Sequence, residues 1–152
     1  ENYEGLGHYK LHPRKESTSP VNPDNNHYNS WRIFRYADVL LLAVELEIRM
    51  NGSVSSQAQG WFDQIRDRAF GDKNHRINLS GKSKEELLDI IFDERGYEFI
   101  DEMQRWFDIM RFDKGEEILA SKGWTEKYRY FPICQSEIDK SKGGLTQNEA
   151  WL

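Results

Sequence analysis

Residues 87–112 constrain this chain more than any other stretch, because an apolar stripe there runs through a dense lattice of charge. Leu88, Ile91, Phe92, Phe99, Met103, Trp106, Phe107 and Met110 recur mostly three and four apart, the spacing of one buried helical face. Glu94, Glu98 and Glu102 follow at four-residue steps and share a flank. Arg95, Arg105 and Arg111 each lie three residues from a carboxylate among Glu98, Glu102 and Asp108, within side-chain reach on a helix. Ser83 followed by Glu86 has the pattern of a capping box, which marks where the element starts. The pattern predicts one long amphipathic helix against which the rest of the chain packs.

Two shorter helices come before it. Residues 31–50 carry Ile33, Tyr36, Ala37, Leu40, Leu41, Ala43, Val44 and Leu46 on more than one stripe, which predicts a helix covered on two sides. Asn51-Gly52 ends it, with Gly52 suited to the left-handed cap position. Ser55 or Ser56 opens a second helix to about Phe70, with Ala58, Trp61, Phe62, Ile65 and Ala69 on one face. So short a connection forces an antiparallel αα-hairpin, and Ala58, Phe62 and Ile65 match the second helix of a tetratricopeptide unit. The expected fold is all-α: a tetratricopeptide-like αα-hairpin packed with a long amphipathic helix, with long irregular loops and tail. Residues 1–30, rich in Gly, Pro, Asn, His and Ser, read as a loop-rich lead-in, and residues 31–152 as the helical domain. Past the long helix, Gly115 precedes a short helical turn through Ala120. Trp124 to Ile133 reads as an extended edge containing Pro132, Ser136 to Asp139 as one turn, and residues 140–152 as a surface tail.

Charge and spacing exclude several functions. A net charge of −5 with interspersed signs argues against nucleic acid. The apolar run at 36–46 is broken by Asp38 and Glu45 and is too short to span a bilayer. Cys134 is the single cysteine, so no disulfide forms within the chain. His8, His12, His27 and His75 never fall at ligand spacing, so no metal centre is expected. Gly5 and Gly7 lack the third glycine and following helix of a phosphate cradle, and no cofactor is expected.

Glu94, Glu98, Glu102 and Asp108 are the residue types of acid–base hydrolysis, but each has an Arg within three or four positions. A carboxylate held by Arg stays ionised, which suits bracing better than proton transfer. Arg66 and Arg68 read as partners for Asp63, Asp67 or those glutamates, or as a clamp on an anionic ligand. Aromatic residues make up 13% of the chain. Trp61, Phe99, Trp106 and Phe107 fall on helical stripes and read as core. Tyr28, Trp124, Tyr128 and Trp151 lie off any stripe, either as stacking platforms for a sugar ring or as closers of the surface.

Four blocks in order carry a family resemblance. They are Arg35-Tyr36-Ala37-Asp38-Val39-Leu40-Leu41; Asp63-Gln64-Ile65-Arg66-Asp67-Arg68-Ala69; Glu94-Arg95 with Glu98-Phe99, Glu102 and Arg105-Trp106-Phe107-Asp108; and Phe131-Pro132-Ile133 with Gln147-Asn148. Jointly they resemble the C-terminal portion of the SusD/RagB family of nutrient-binding outer-membrane lipoproteins. The chain departs from the family pattern at Asp63, Gly96, Met103, Cys134 and Glu149-Ala150. The resemblance implies a non-catalytic protein that captures an oligosaccharide or other nutrient and passes it to a SusC-like TonB-dependent transporter. It implies the cell outer membrane as location, through a lipid anchor upstream of Glu1. Arg66, Arg68, Glu94, Arg95, Glu98, Glu102, Arg105, Asp108 and Arg111 then become an internal ion-pair lattice, and Tyr28 and Trp124 are the candidate ligand contacts. Two rival readings stand beside it: a helical-repeat protein–protein interaction scaffold without a small-molecule ligand, and a glycoside hydrolase using Glu98 and Glu102.

Overall fold

A computed structural model describes residues 32–152; the lead-in at 1–30, and Tyr28 within it, lie outside the described residues. The described chain is helical throughout, without a strand, and divides into two compact units, one ending at Gln104 and one spanning Arg105–Leu152.

In the first unit, helix α1 (Tyr36–Asn51) ends at Gly52, whose left-handed φ of 69° lets its N–H reach the Ile48 carbonyl at 2.8 Å. Helix α2 (Ser56–Phe70) starts where the Ser55 hydroxyl accepts the Ala58 N–H, and ends at Gly71. The two pack as the expected hairpin. Helix α3 (Lys84–Glu98) opens with a complete capping box: Ser83 Oγ accepts the Glu86 N–H, and the Glu86 carboxylate accepts the Ser83 N–H at 2.8 Å. Helix α3 packs on α1. Their shared core consists of Leu40, Leu41, Val44 and Ile48 from α1, Ala58, Phe62 and Ile65 from α2, and Leu87, Ile91 and Phe92 from α3. The Gln59 amide ties the intervening loop to α2 by donating to the Ile77 carbonyl and accepting the Leu79 N–H, which holds Leu79 in the core.

The long helix expected over residues 87–112 is instead two helices, α3 and α4 (Arg105–Arg111), with a break at residues 99–104. The cause is a side chain that arrives from α1. In a continuous helix the Glu98 carbonyl would accept the Glu102 N–H; here it accepts Arg35 Nη2 at 2.6 Å, and Glu102 N–H turns to the Phe99 carbonyl. Asp101 and Met103 take left-handed φ values of 62° and 60°, which ends the helix. The rear of the predicted stripe therefore leaves the core: Met103 is 71% and Phe107 62% exposed. Helix α1 likewise buries one face only among the described residues, since Tyr36, Val39, Leu42, Leu46 and Met50 remain exposed.

The second unit holds α4, α5 (Gly115–Leu119), α6 (Gln135–Lys140) and three 3-10 turns, Ala120–Lys122, Glu126–Arg129 and Glu149–Trp151. The extended edge expected over 124–133 is partly one of these turns. Arg129 fastens the turn by donating to Glu126, to Asp113 and to the Met110 carbonyl. The backbone that follows has no partner strand among the described residues; the Gln147 side chain satisfies it instead. No helix of the described residues is long and apolar enough to cross a membrane.

Candidate functional site

Most of the charged lattice lies in the first unit, where its pairs tie one helix to another. Arg66 of α2 donates to Glu94 of α3, and Arg68 of α2 to Glu98. Arg95 of α3 reaches Asp38 of α1 at 2.7 Å, with both side chains buried. Arg35 donates to Glu98 and, at 2.8 Å, to Glu102, and it stands at the N-cap position of α1. The Arg35 and Arg95 guanidinium carbons lie 4.7 and 4.9 Å from the centre of the buried Phe99 ring. In the second unit Arg111 pairs with the buried Asp108 at 2.8 Å, while Arg105 is half-buried at the start of α4. Arg35 and Asp38 are lattice members that spacing along the long helix did not reveal. Their signal was the charge inside an otherwise apolar helical run.

These environments bear on the hydrolase reading. Glu98 and Glu102 share one guanidinium, and Glu98 takes a second from Arg68. Burial pushes the Glu94 carboxyl above its ordinary value, although Arg66 opposes it. Arg35 sits above its usual value: burial works against its charge, and the hydrogen bonds to Glu102 and Glu98 outweigh it. The arrangement cross-ties three helix ends and leaves neither Glu98 nor Glu102 as an open acid–base pair. Among the described residues no cluster of His, Cys, Asp and Glu is arranged to hold a metal ion.

The second unit contains an aromatic cleft of about 370 Å³. Trp124 forms one wall, with its ring buried against Gly115: a Cβ there would sit 2.5 Å from Trp124 Cζ2, so only glycine admits the indole. Trp124 Nε1 is buried and has no hydrogen-bond partner among the described residues. Tyr128 and Trp151 meet edge to face at 5.6 Å between ring centres. Trp106 and Phe131 approach at 6.1 Å, and Tyr130 and Pro132 complete the lining with Leu119, Lys122 and Gly123. Tyr130 is 59% and Phe131 70% exposed, so both offer open ring surface at the cleft.

What holds those rings is the tail. The Gln147 amide accepts the Ile133 N–H at 2.8 Å and donates to the Ile133 carbonyl at 2.9 Å, imitating a strand neighbour. Asn148 Nδ2 donates to the Phe131 carbonyl, and Trp151 Nε1 to the Tyr130 carbonyl, each at 2.7 Å. Three side chains thus fix residues 130–133 and the direction in which Tyr130 and Phe131 point. Of the two residues singled out in the sequence, Trp124 lines this cleft and Tyr28 lies outside the described residues. Tyr130 and Lys122 are cleft residues that the sequence does not single out, and Phe131 stood out there only as part of the fourth family block.

Comparison with known proteins agrees with this architecture. The SusD-like protein P2 of Formosa agariphila is 38% identical over 92 residues, covering 59% of this chain and 18% of that protein. The SusD-like protein P38 of the same organism is 32% identical over 124 residues, covering 76% of this chain and 24% of that protein. Among solved structures, surface glycan-binding protein A from Bacteroides thetaiotaomicron matches with a TM-score of 0.66 and 34% identity over 82% of this chain and 26% of that one. The same protein in complex with laminarihexaose matches with a TM-score of 0.65. The chain thus spans about a quarter or less of the length of these relatives. The SusD family model matches residues 1–123, and this chain belongs to the SusD family.

Proposed function

We propose that this chain is part of a non-catalytic glycan-binding protein that captures oligosaccharides at the bacterial outer-membrane surface and delivers them to a SusC-like TonB-dependent transporter. A lipid anchor elsewhere in the polypeptide would hold it there. The observation that carries the proposal is the aromatic cleft of the second unit, with open rings at Tyr130 and Phe131 and a buried wall at Trp124. Sugar rings present apolar C–H faces that stack on such surfaces, and hydroxyls that pair with the polar rim. The relative solved with laminarihexaose supports a glycan as the ligand class. The absence of chemistry is supported by the arginine partners of Glu98 and Glu102.

Calorimetric titration of the full chain with a panel of oligosaccharides tests this. Binding to at least one is expected, weakened about tenfold or more in Tyr130→Ala/Phe131→Ala, the equivalent of about 1.4 kcal/mol of lost ring contact. Equal binding by that variant, or no binding across the panel, would remove the cleft from the account. Tyr28→Ala belongs in the same panel on the strength of its sequence position. Incubation with the bound glycan should yield no cleavage products, and turnover abolished by Glu98→Gln would favour the hydrolase instead. The transporter is tested by co-purification with a TonB-dependent barrel from native membranes.

A further inference from the structure

Resting on the glycan reading of the cleft, we propose that it selects acidic glycans, those whose sugar rings carry a carboxylate or a sulfate. Among the described residues the cleft wall is aromatic and aliphatic except for one charged side chain, Lys122, with no carboxylate in the lining. A second ammonium, Lys127, does not line the cleft itself but lies over two of its rings, with Nζ 5.1 Å from the ring centre of Tyr128 and 4.9 Å from that of Trp151.

Like Lys142, and unlike most cations of the unit, these two lysines have no ion-pair partner among the described residues. Within the same unit Arg111 is paired with Asp108, Lys114 with Glu117, Arg129 with Asp113 and Glu126, and Lys140 with Glu137. The negative faces of Tyr128 and Trp151 hold Lys127 over the rings, and a ring face, unlike a carboxylate, leaves ammonium N–H donors free for an incoming anion. An apolar wall beside unneutralised cations also raises the field at the cleft, since water screens charge less there than in bulk. A neutral sugar uses the rings alone. An acidic sugar uses the rings and both lysines.

The test is calorimetry on the full chain with length-matched neutral, uronate-bearing and sulfate-bearing oligosaccharides at low and high salt. Acidic ligands should bind about tenfold or more tightly than the neutral one at low salt, and the advantage should shrink as salt rises. Lys122→Met/Lys127→Met should bring the acidic affinity down to the neutral one, and Lys122→Arg/Lys127→Arg should retain the preference. Comparing the uronate and sulfate arms tells which acidic group the cleft takes. A preference for neutral glycans, equal affinity for both classes, or an acidic preference that persists at high salt or in the methionine variant would overturn this inference and leave the glycan reading standing. Failure of every glycan to bind would overturn both.

Discussion

The Asp38–Arg95 pair joins α1 to α3 at 2.7 Å, and its side chains are only 4% and 3% exposed. Asp38→Ala would leave a guanidinium in the core without that partner, beside the Phe99 ring that it already faces. Removing one member of a buried ion pair costs about 3–5 kcal/mol, because the remaining charge stays desolvated after losing that compensation. For a chain of this size each kcal/mol moves the melting temperature by roughly 2–4 °C, so a fall of about 6–20 °C is expected. Replacing both partners by apolar side chains, Asp38→Leu/Arg95→Met, should recover most of that loss, since neither charge then needs a partner. Thermal and urea unfolding followed by far-ultraviolet circular dichroism measures all three proteins. A single variant that melts with the wild type, or a double variant no better than the single, would show that the pair is solvated and does not brace the two helices.

Arg35→Ala should destabilise the first unit by roughly 1.5–3 kcal/mol, the scale of hydrogen bonds to charged groups, and hydrogen exchange should quicken first at residues 99–104. Arg35→Lys should not rescue it, because an ammonium cannot reproduce the fork that serves Glu98, Glu102 and the Glu98 carbonyl together. Gly115→Ala places a methyl 2.5 Å from Trp124 Cζ2 and should cost about 1–3 kcal/mol, with a red shift in tryptophan emission as the indole is displaced. Hydrogen bonds from the Ser83 backbone and side chain hold the Glu86 carboxyl below its ordinary value of 4.5, so its contribution is present above that pH and is lost as pH falls through the lowered folded value. Ser83→Ala should cost about 1 kcal/mol at neutral pH, and its urea midpoint should fall less steeply with acid than the wild type's; parallel acid limbs would refute the coupling.

What was legible in the sequence was local. Gly52, Ser55 and Ser83 ended or opened helices because each acts through backbone groups within four residues, and the hairpin followed from the short link between α1 and α2. The break after Glu98 was not legible, because residues 97–104 contain no glycine or proline to announce it. Its cause is Arg35, 63 residues earlier in the chain, taking the carbonyl that would have continued the helix. The same distance effect explains the lattice. Most of its members were recognisable by residue type, but spacing along one helix offers only neighbours three and four residues away, while the fold also carries Arg95 to Asp38 and Glu98 to Arg35 and Arg68. Asp38 looked like an interruption in an apolar run and is in fact half of a buried pair. At the cleft, Trp124, Tyr128 and Trp151 stood out because they fit no helical stripe. Their assembly depends on Gln147, Asn148 and Trp151 gripping backbone 14 to 21 residues away, which no local pattern encodes.

Chemical-shift mapping of the full chain during titration with a bound oligosaccharide tests the central claim most directly. The largest changes should fall on the backbone of residues 122–132 and on the indole N–H of Trp151, while the Glu98 and Glu102 carboxylates stay unmoved. Changes centred on Glu98 and Glu102, with the aromatic cleft silent, would contradict it.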